Sequence, residues 1–385
     1  MTAYYKRDSF MKSIRPMLTA ISAILLLASF TACSSGSDGG GPGTGILSLS
    51  LTDATTTEYK AIYVTIQEVQ VHRRDGGKWQ VVATPNKTFN LLELVNGVRE
   101  HLGLSELQTG VYTQMRLIIG NTADGGINIK GNTHPFANYF IDSLDAEYEL
   151  KIPSGPQTGI KIGGFLINQN ETTELILDFD ASKSIVKAGN SGKWLIKPTI
   201  KVVDMVNYSI ISGLANNIEG ILVGAQIYDP SASDAKDEVL VQTATITDAT
   251  GSYKMFLEPG TYNVVAYKEG SFPICSRITA HPDTTNLVPE FFLSPASTAN
   301  IEGIVAISGA GDEQHVTLSI RQTVLCSGVS AQIEVKSMNV ANGGAYSINL
   351  PDGVYSVVAS TYGHITQEHA VNITSPSNTT LDITF

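Results

Sequence analysis

In "LDFDAS" (177–182) the carboxylates Asp178 and Asp180 stand two residues apart, a spacing that places both on one face of a strand. Such a pair can begin a site for a hard cation, which needs several oxygen ligands, or supply an acid and a base for hydrolysis. No second carboxylate-rich stretch accompanies it. The expectation is therefore a solvated polar face opposite the buried Leu177 and Phe179. The seven histidines (His72, His101, His134, His281, His315, His364 and His369) are scattered. Only His364 and His369 lie close, near Glu368, and their spacing matches no common metal motif. Neither G-x-S-x-G nor H-E-x-x-H occurs. No metal or cofactor is implied and a non-enzymatic chain is expected, with a hydrolase built on Asp178 and Asp180 as the least favoured alternative.

Binding leaves a different signature. Sugar faces stack on aromatic rings while polar side chains meet the hydroxyls. The chain has two tryptophans, Trp79 and Trp194, both in the expected N-terminal domain (46–207). Core or edge packing is their ordinary use, but they are the residues a glycan would engage. Cys275 and Cys326 lie in the second half. A bond between them would have to cross from one repeat to the next, so buried thiols are expected, although an oxidising compartment permits a disulfide.

The N-terminus sets that compartment. Lys12 and Arg15 precede the apolar run "MLTAISAILLLASF" (17–30), which is too short to span a bilayer comfortably and reads as an export signal. It ends in "FTAC", which resembles the lipobox of bacterial lipoproteins, with Phe30 in a position usually aliphatic. The resemblance implies that Cys33 is acylated and anchors the mature chain to a membrane. Ser34 after it implies sorting to the outer membrane, facing the periplasm or the medium. "SSGSDGGGPGTG" (34–45) then forms a flexible tether, without the preceding strand or following Lys-Ser/Thr of a phosphate loop. Residues 1–32 hold four Lys/Arg and one Asp, so their removal takes the formal charge from −11 to −14. That balance excludes nucleic acid and a polybasic grip on lipid, leaving the acyl chains on Cys33 as the membrane contact.

The elements that must position these residues are strands. "LSLSLTDA" (47–54), "AIYVTIQEVQVH" (61–72), "YTQMRLIIG" (112–120) and "SYKMFL" (252–257) alternate with period two. Residues 90–107 could carry one or two helical turns, kept short by Asn96 and Gly97. "NIEGILVG" (217–224) recurs as "NIEGIVAI" (300–307), and "GSYKMFLEPGTYNVVA" (251–266) recurs as "GAYSINLPDGVYSVVA" (344–359). The first pair is offset by 83 residues and the second by 93, which implies a longer early loop in the second copy. The organisation expected is all-β, with three tandem β-sandwich-like domains after the signal (1–33) and tether (34–45). They occupy 46–207, 208–296 and 297–385, as beads on a string.

"LQTGVY" (107–112), "LEPGTY" (257–262) and "LPDGVY" (350–355) share a leucine, a glycine and a tyrosine. They resemble the tyrosine corner of Greek-key sandwiches, in which the phenol bonds back to the crossing backbone. The polar slots change from copy to copy, so the motif is structural. Segments such as "FNLLELVNG", "ELILDFDASKSIV" and "WLIKPTIKVV" make about 46–205 resemble a bacterial lipoprotein domain known only as a domain of unknown function. "EGILVGAQIYD" and "TDATGSYKMFLEPGTYNVVAYKEG" resemble carboxypeptidase regulatory-like domains. That resemblance implies a transthyretin-like or carbohydrate-binding-like sandwich and an accessory role, with no peptidase chemistry. The function expected is a lipid-anchored cell-envelope protein that binds a protein partner or contributes to envelope assembly. The alternative is a carbohydrate-binding lipoprotein.

Overall fold

Period-two alternation becomes strand almost wherever it occurs, because a pleated segment buries every second side chain and must pair its backbone laterally. A computed structural model describes residues 43–385, apart from 55, 153–156, 161–163, 189–192, 206 and 310–313. The export signal, Cys33 and most of the tether lie outside the described residues. The chain is all-β in several sheets.

Strand Thr44–Ala54 begins within the Gly/Ser-rich run, three residues before the expected alternation at 47–54. Gly45 is needed there, since a Cβ would lie 2.2 Å from the Asn168 carbonyl oxygen. This strand pairs in parallel with Thr172–Asp180, Leu51 opposite Leu177 and Asp53 opposite Phe179, and antiparallel with Glu100–Gln108. Ile200–Asp204 closes the far edge, with Lys201 opposite Asp178. The helical turns expected over 90–107 reduce to a 3₁₀ turn at Leu91–Glu93. Asn96 (φ 57°) and Gly97 (φ 80°) then turn the chain into the Glu100–Gln108 strand. Leu47, Leu49, Leu51, Leu175, Leu177 and Phe179 face the core of this N-terminal segment.

Both repeats have the same two-sheet plan. In the first, Ser209–Leu214 lies between Ser252–Leu257 and Thr285–Leu287, and a second sheet runs Val239–Ile246, Leu222–Tyr228, Gly260–Tyr267, Ile274–Ala280. In the second, Thr298–Ala306 lies between Ala345–Pro351 and the C-terminal strands, opposite a sheet containing Val329–Ala341, His315–Cys326, Gly353–Ser360 and Gln367–Ile373. This plan overturns one sequence alignment. Asn217 lies in the turn after the first strand (φ 49°), whereas Asn300 lies within the first strand of its repeat. The two "NIEG" stretches are not structural equivalents; the 93-residue offset of the tyrosine motif is the true frame.

All three tyrosine corners form. The hydroxyls of Tyr112, Tyr262 and Tyr355 donate to the carbonyls of Gln108 (3.1 Å), Glu258 (2.7 Å) and Pro351 (2.9 Å). Each tyrosine is buried. Gly110 and Gly353 adopt positive φ, as expected of the turn. Gly260 does not; a Cβ there would lie 3.1 Å from the Tyr262 hydroxyl, a tight contact that favours glycine.

The bead-like arrangement is not what forms. From Pro42 to Phe385 the chain is one compact unit. One sheet is continued from the N-terminal segment into the second repeat, where Lys187 bridges Val340 in parallel. The core of the second repeat takes in Val265, Tyr267 and Cys275 from the first. Within it Cys275 and Cys326 form a disulfide, which corrects the expectation of separate thiols. The pair was unreadable from repeat positions because it joins a sheet-edge strand (Ile274–Ala280) to the end of the long Val329–Ala341/His315–Cys326 hairpin.

Tyr262→Phe and Tyr355→Phe are each expected to cost about 1 kcal/mol, the net worth of one buried hydrogen bond, without changing the fold. Urea unfolding followed by circular dichroism checks this; no loss of stability in either variant would deny the corners a structural role.

Candidate functional site

The outer face of Thr172–Asp180 is not solvated. Asp178 and Asp180 are 3% and 9% exposed, and Asp53 on the neighbouring strand is 2% exposed. The strand alternates as expected, but the first repeat covers the face that alternation would leave in water. Ile176 on that face packs with Val203 and Phe256, the latter from the first repeat. Thr243 of the first repeat hydrogen-bonds Asp178. Lys201 donates to the carbonyls of Val241 and of Gln242, the latter at 2.6 Å. An acidic pair read as surface is thus the centre of an internal junction.

Local chemistry positions each group. Asp180 caps the short Ala181–Ser184 helix, its Oδ1 accepting from the Lys183 amide (3.1 Å) and the Ser182 hydroxyl (2.7 Å). Its Oδ2 lies 3.4 Å from the Lys183 ammonium. Asp53 Oδ1 accepts from the Ala181 amide at 3.2 Å. The other oxygen of Asp53 and Oδ1 of Asp178 are buried without a hydrogen-bond partner. A charge so placed is expensive, and the protons respond. Burial pushes Asp178 up to about 7, opposed by the Thr243 hydroxyl and reinforced by Asp180. Burial, with Asp178 and Asp180 adding to it, holds Asp53 well above the usual carboxylate range. Burial and the Lys183 charge bring Lys201 down to about 8.

These shifts resemble those of catalytic groups, but the space beside them does not admit a substrate. The cavity bounded by Thr52, Asp53, Asn96, Thr243 and Thr245 is about 10 Å³, room for about one water. Among the described residues no group of three or more His, Cys, Asp or Glu side chains could hold a metal ion. The arrangement can store a proton between segments.

A larger cleft, of about 300 Å³, opens where all three segments meet, lined by Thr57 and Lys183, by Leu222, Gln226 and Tyr267, and by Lys336. Its walls are tied across the segments. The Gln226 amide donates to the Glu334 carbonyl (2.7 Å) and accepts from the Glu334 N–H (2.8 Å). Lys336 pairs with Glu58 at 3.3 Å. Arg321, 1% exposed, donates to the carbonyls of Ala235 (2.7 Å) and Lys236 (3.1 Å). Sequence reading missed this set. Arg321 inside the strand "HVTLSIRQTVLC" was the available signal, since an arginine among alternating apolar residues must find internal partners.

The two tryptophans are not brought together. Trp79 is half-buried under the Arg116 guanidinium (4.3 Å) and beside His72 (5.4 Å). Trp194 stands edge-on to Phe140 (4.8 Å), packs on the N-terminal core, and faces a second cavity of about 500 Å³ between that segment and the second repeat. His364 and His369 form no site; His364 packs on Phe385 and His369 bonds Gln367.

Residues 44–198 match the family model of a domain of unknown function, DUF4382. No curated protein matches the chain. Among solved structures, the Bacillus anthracis TIE protein is 12% identical over 89% of this chain, with a TM-score of 0.18; the chain spans about half of its length. A streptococcal ancillary pilin is 9% identical, with 88% of this chain and 98% of the pilin covered and a TM-score of 0.19. The major pilin subunit of Bacillus cereus is 12% identical, with 89% and 99% covered and a TM-score of 0.15. Scores at this level carry no argument about function.

Asp178 binds its proton more tightly in the folded chain than in the unfolded one. Its contribution to stability is therefore complete below about pH 4 and is lost as pH rises to about 7. Asp178→Asn should flatten the thermal stability profile across that interval and leave the protein at least as stable as wild type at pH 8. Calorimetry from pH 4 to 8 tests this; a variant destabilised at pH 8 would show that the ionised carboxylate is the favoured partner of the junction.

Proposed function

We propose that this chain is an exported, lipid-anchored, non-enzymatic binding protein of the cell envelope, held to the outer membrane by acyl chains on Cys33. The disulfide between Cys275 and Cys326 carries the reading. Such bonds persist in oxidising compartments and are rare in the cytosol. This one staples the two repeats, so it also fixes the walls of the clefts that a partner would meet. The export signal and lipobox resemblance at residues 12–33 agree with it. Among the described residues no helix is long and apolar enough to cross a membrane, which is compatible with an acyl anchor. The acidic charge fits a protein or neutral partner better than nucleic acid. The two repeats serve as accessory modules of the carboxypeptidase regulatory-like kind, presenting loops on a scaffold whose segments are tied by the Arg321, Gln226 and Lys201 hydrogen bonds.

Cys33→Ala should move the protein from the membrane fraction to the soluble fraction and abolish palmitate labelling; persistence in the membrane would remove the anchor from the account. Non-reducing peptide mapping of envelope-extracted protein should recover Cys275 and Cys326 in one linked peptide. Recovery as free thiols would withdraw the main support for export. In-cell crosslinking of intact envelopes then identifies the protein partner, and a chain that crosslinks to nothing across repeated captures would argue against a binding role.

A further inference from the structure

The cavity faced by Trp194 has a chemistry distinct from that of the acidic junction. One wall comes from the N-terminal segment through Tyr59, Ile185 and Trp194. The other comes from the second repeat, through residues 338–341 and 343–347. Its volume, about 500 Å³, lies within the range of small-ligand sites. Trp194 and Tyr59 are both half-buried, so each ring is fixed by packing on Phe140 while part of its surface stays open.

The charge pattern narrows the ligand. Glu58 and Lys187 are the charged residues of the lining, one of each sign. Glu58 is paired with Lys336, and the exposed Lys187 lies over the Trp194 ring at 5.5 Å. With Glu58 neutralised by Lys336, Lys187 on the Trp194 ring is the one uncompensated charge of the lining, and a phosphorylated or carboxylated ligand would find no second cation beside it. Ser182 bonds Asp180, and Asn339 bonds Lys183 and Thr317; a wholly apolar ligand would cover their remaining hydrogen-bonding capacity without using it. A molecule with apolar ring faces and a rim of uncharged hydroxyls satisfies both constraints. Aromatic rings take the faces and the neutral polar groups take the rim.

We infer that the cavity between Trp194 and the 338–347 region is a binding site for an uncharged oligosaccharide. The inference rests on the binding-protein reading and names its ligand class. The site exists only in the assembled molecule, since neither the N-terminal segment nor the second repeat supplies both walls. Lys187 would move aside when the sugar stacks, as an exposed cation on a ring is held weakly.

The test uses the detergent-solubilised full-length protein. Trp79→Phe leaves Trp194 as the one tryptophan, so its emission reports on the cavity directly. Cellohexaose, maltohexaose and N-acetylglucosamine tetramer are the probes. At least one should give a saturable change in emission, with the same affinity found by calorimetry on the wild type. Trp194→Ala should weaken that binding by about tenfold or more, as expected for loss of an aromatic platform. Because Trp194 also packs on the core, a second variant is needed. Ser347→Trp, at an exposed position of the lining, should block the cavity while leaving circular dichroism and Tm unchanged. The proposal is overturned if no probe gives a saturable signal at millimolar concentration, or if Ser347→Trp binds as well as wild type. Stronger binding of an anionic oligosaccharide would overturn the uncharged ligand class. Failure here with partner crosslinking intact would leave the broader binding role standing, whereas release of reducing sugar from a probe would overturn the non-enzymatic reading itself.

Discussion

The assembly depends on polar side chains that each reach the backbone of a different segment. Arg321, Lys201 and Gln226 are the main ones, and Arg321 and Gln226 are almost wholly removed from water. A buried guanidinium or ammonium left unpaired costs far more than a lost apolar contact, so each fixes the position of the element it reaches. Arg321 holds the second repeat to the carbonyls of Ala235 and Lys236 in the first. Lys201 holds the N-terminal sheet to the carbonyls of Val241 and Gln242. Asn339 donates to the Lys183 carbonyl at 3.0 Å and connects the second repeat to the N-terminal segment. Each segment is therefore tied to the other two, and the sheets cannot slide without leaving polar atoms unsatisfied.

Gln226 shows how the same device manages a strand edge. The Val329–Ala341 strand pairs along one side with His315–Cys326. On its other side a strand partner meets it at Val340. At Glu334 the Gln226 amide satisfies both the N–H and the carbonyl, doing with one side chain what a neighbouring strand would do. An edge covered in this way is less open to unwanted pairing. The disulfide then fixes the end of the same hairpin to the first repeat.

The carboxylates at the N-terminal junction are the opposite case. Asp53 and Asp178 each retain an unpartnered buried oxygen, so here the junction carries a cost that the surrounding contacts offset. Holding a proton relieves that cost. The result is an internal contact whose strength varies with pH. The cluster is also joined to the Trp194 cavity: Ser182 lines that cavity and donates to Asp180 at 2.7 Å, and Asn339 of the same lining donates to the Lys183 carbonyl.

Much of the local structure was legible in the residues themselves. Alternation in "LSLSLTDA" and "AIYVTIQEVQVH" specified strands, because pleat and burial share a period of two. The leucine-glycine-tyrosine spacing specified three corners, because the phenol bonds a carbonyl four residues back. Residues 44–198 were recognisable as one family domain. What alternation could not say was which material lies against each face. Asp178 alternates with Leu177 and Phe179 as a solvated residue would, and only the approach of Thr243 and Phe256 from another segment buries it. Cys275 and Cys326 occupy unlike places in their repeats, and only the packing of one repeat on the next brings them into bonding distance. Sequence by itself determined the strands and their turns, since these answer to neighbours along the chain. Tertiary structure alone decided the junctions, the proton affinities and the cavities, since these depend on the dielectric and on partners far away in the chain, as Glu58 is from Lys336.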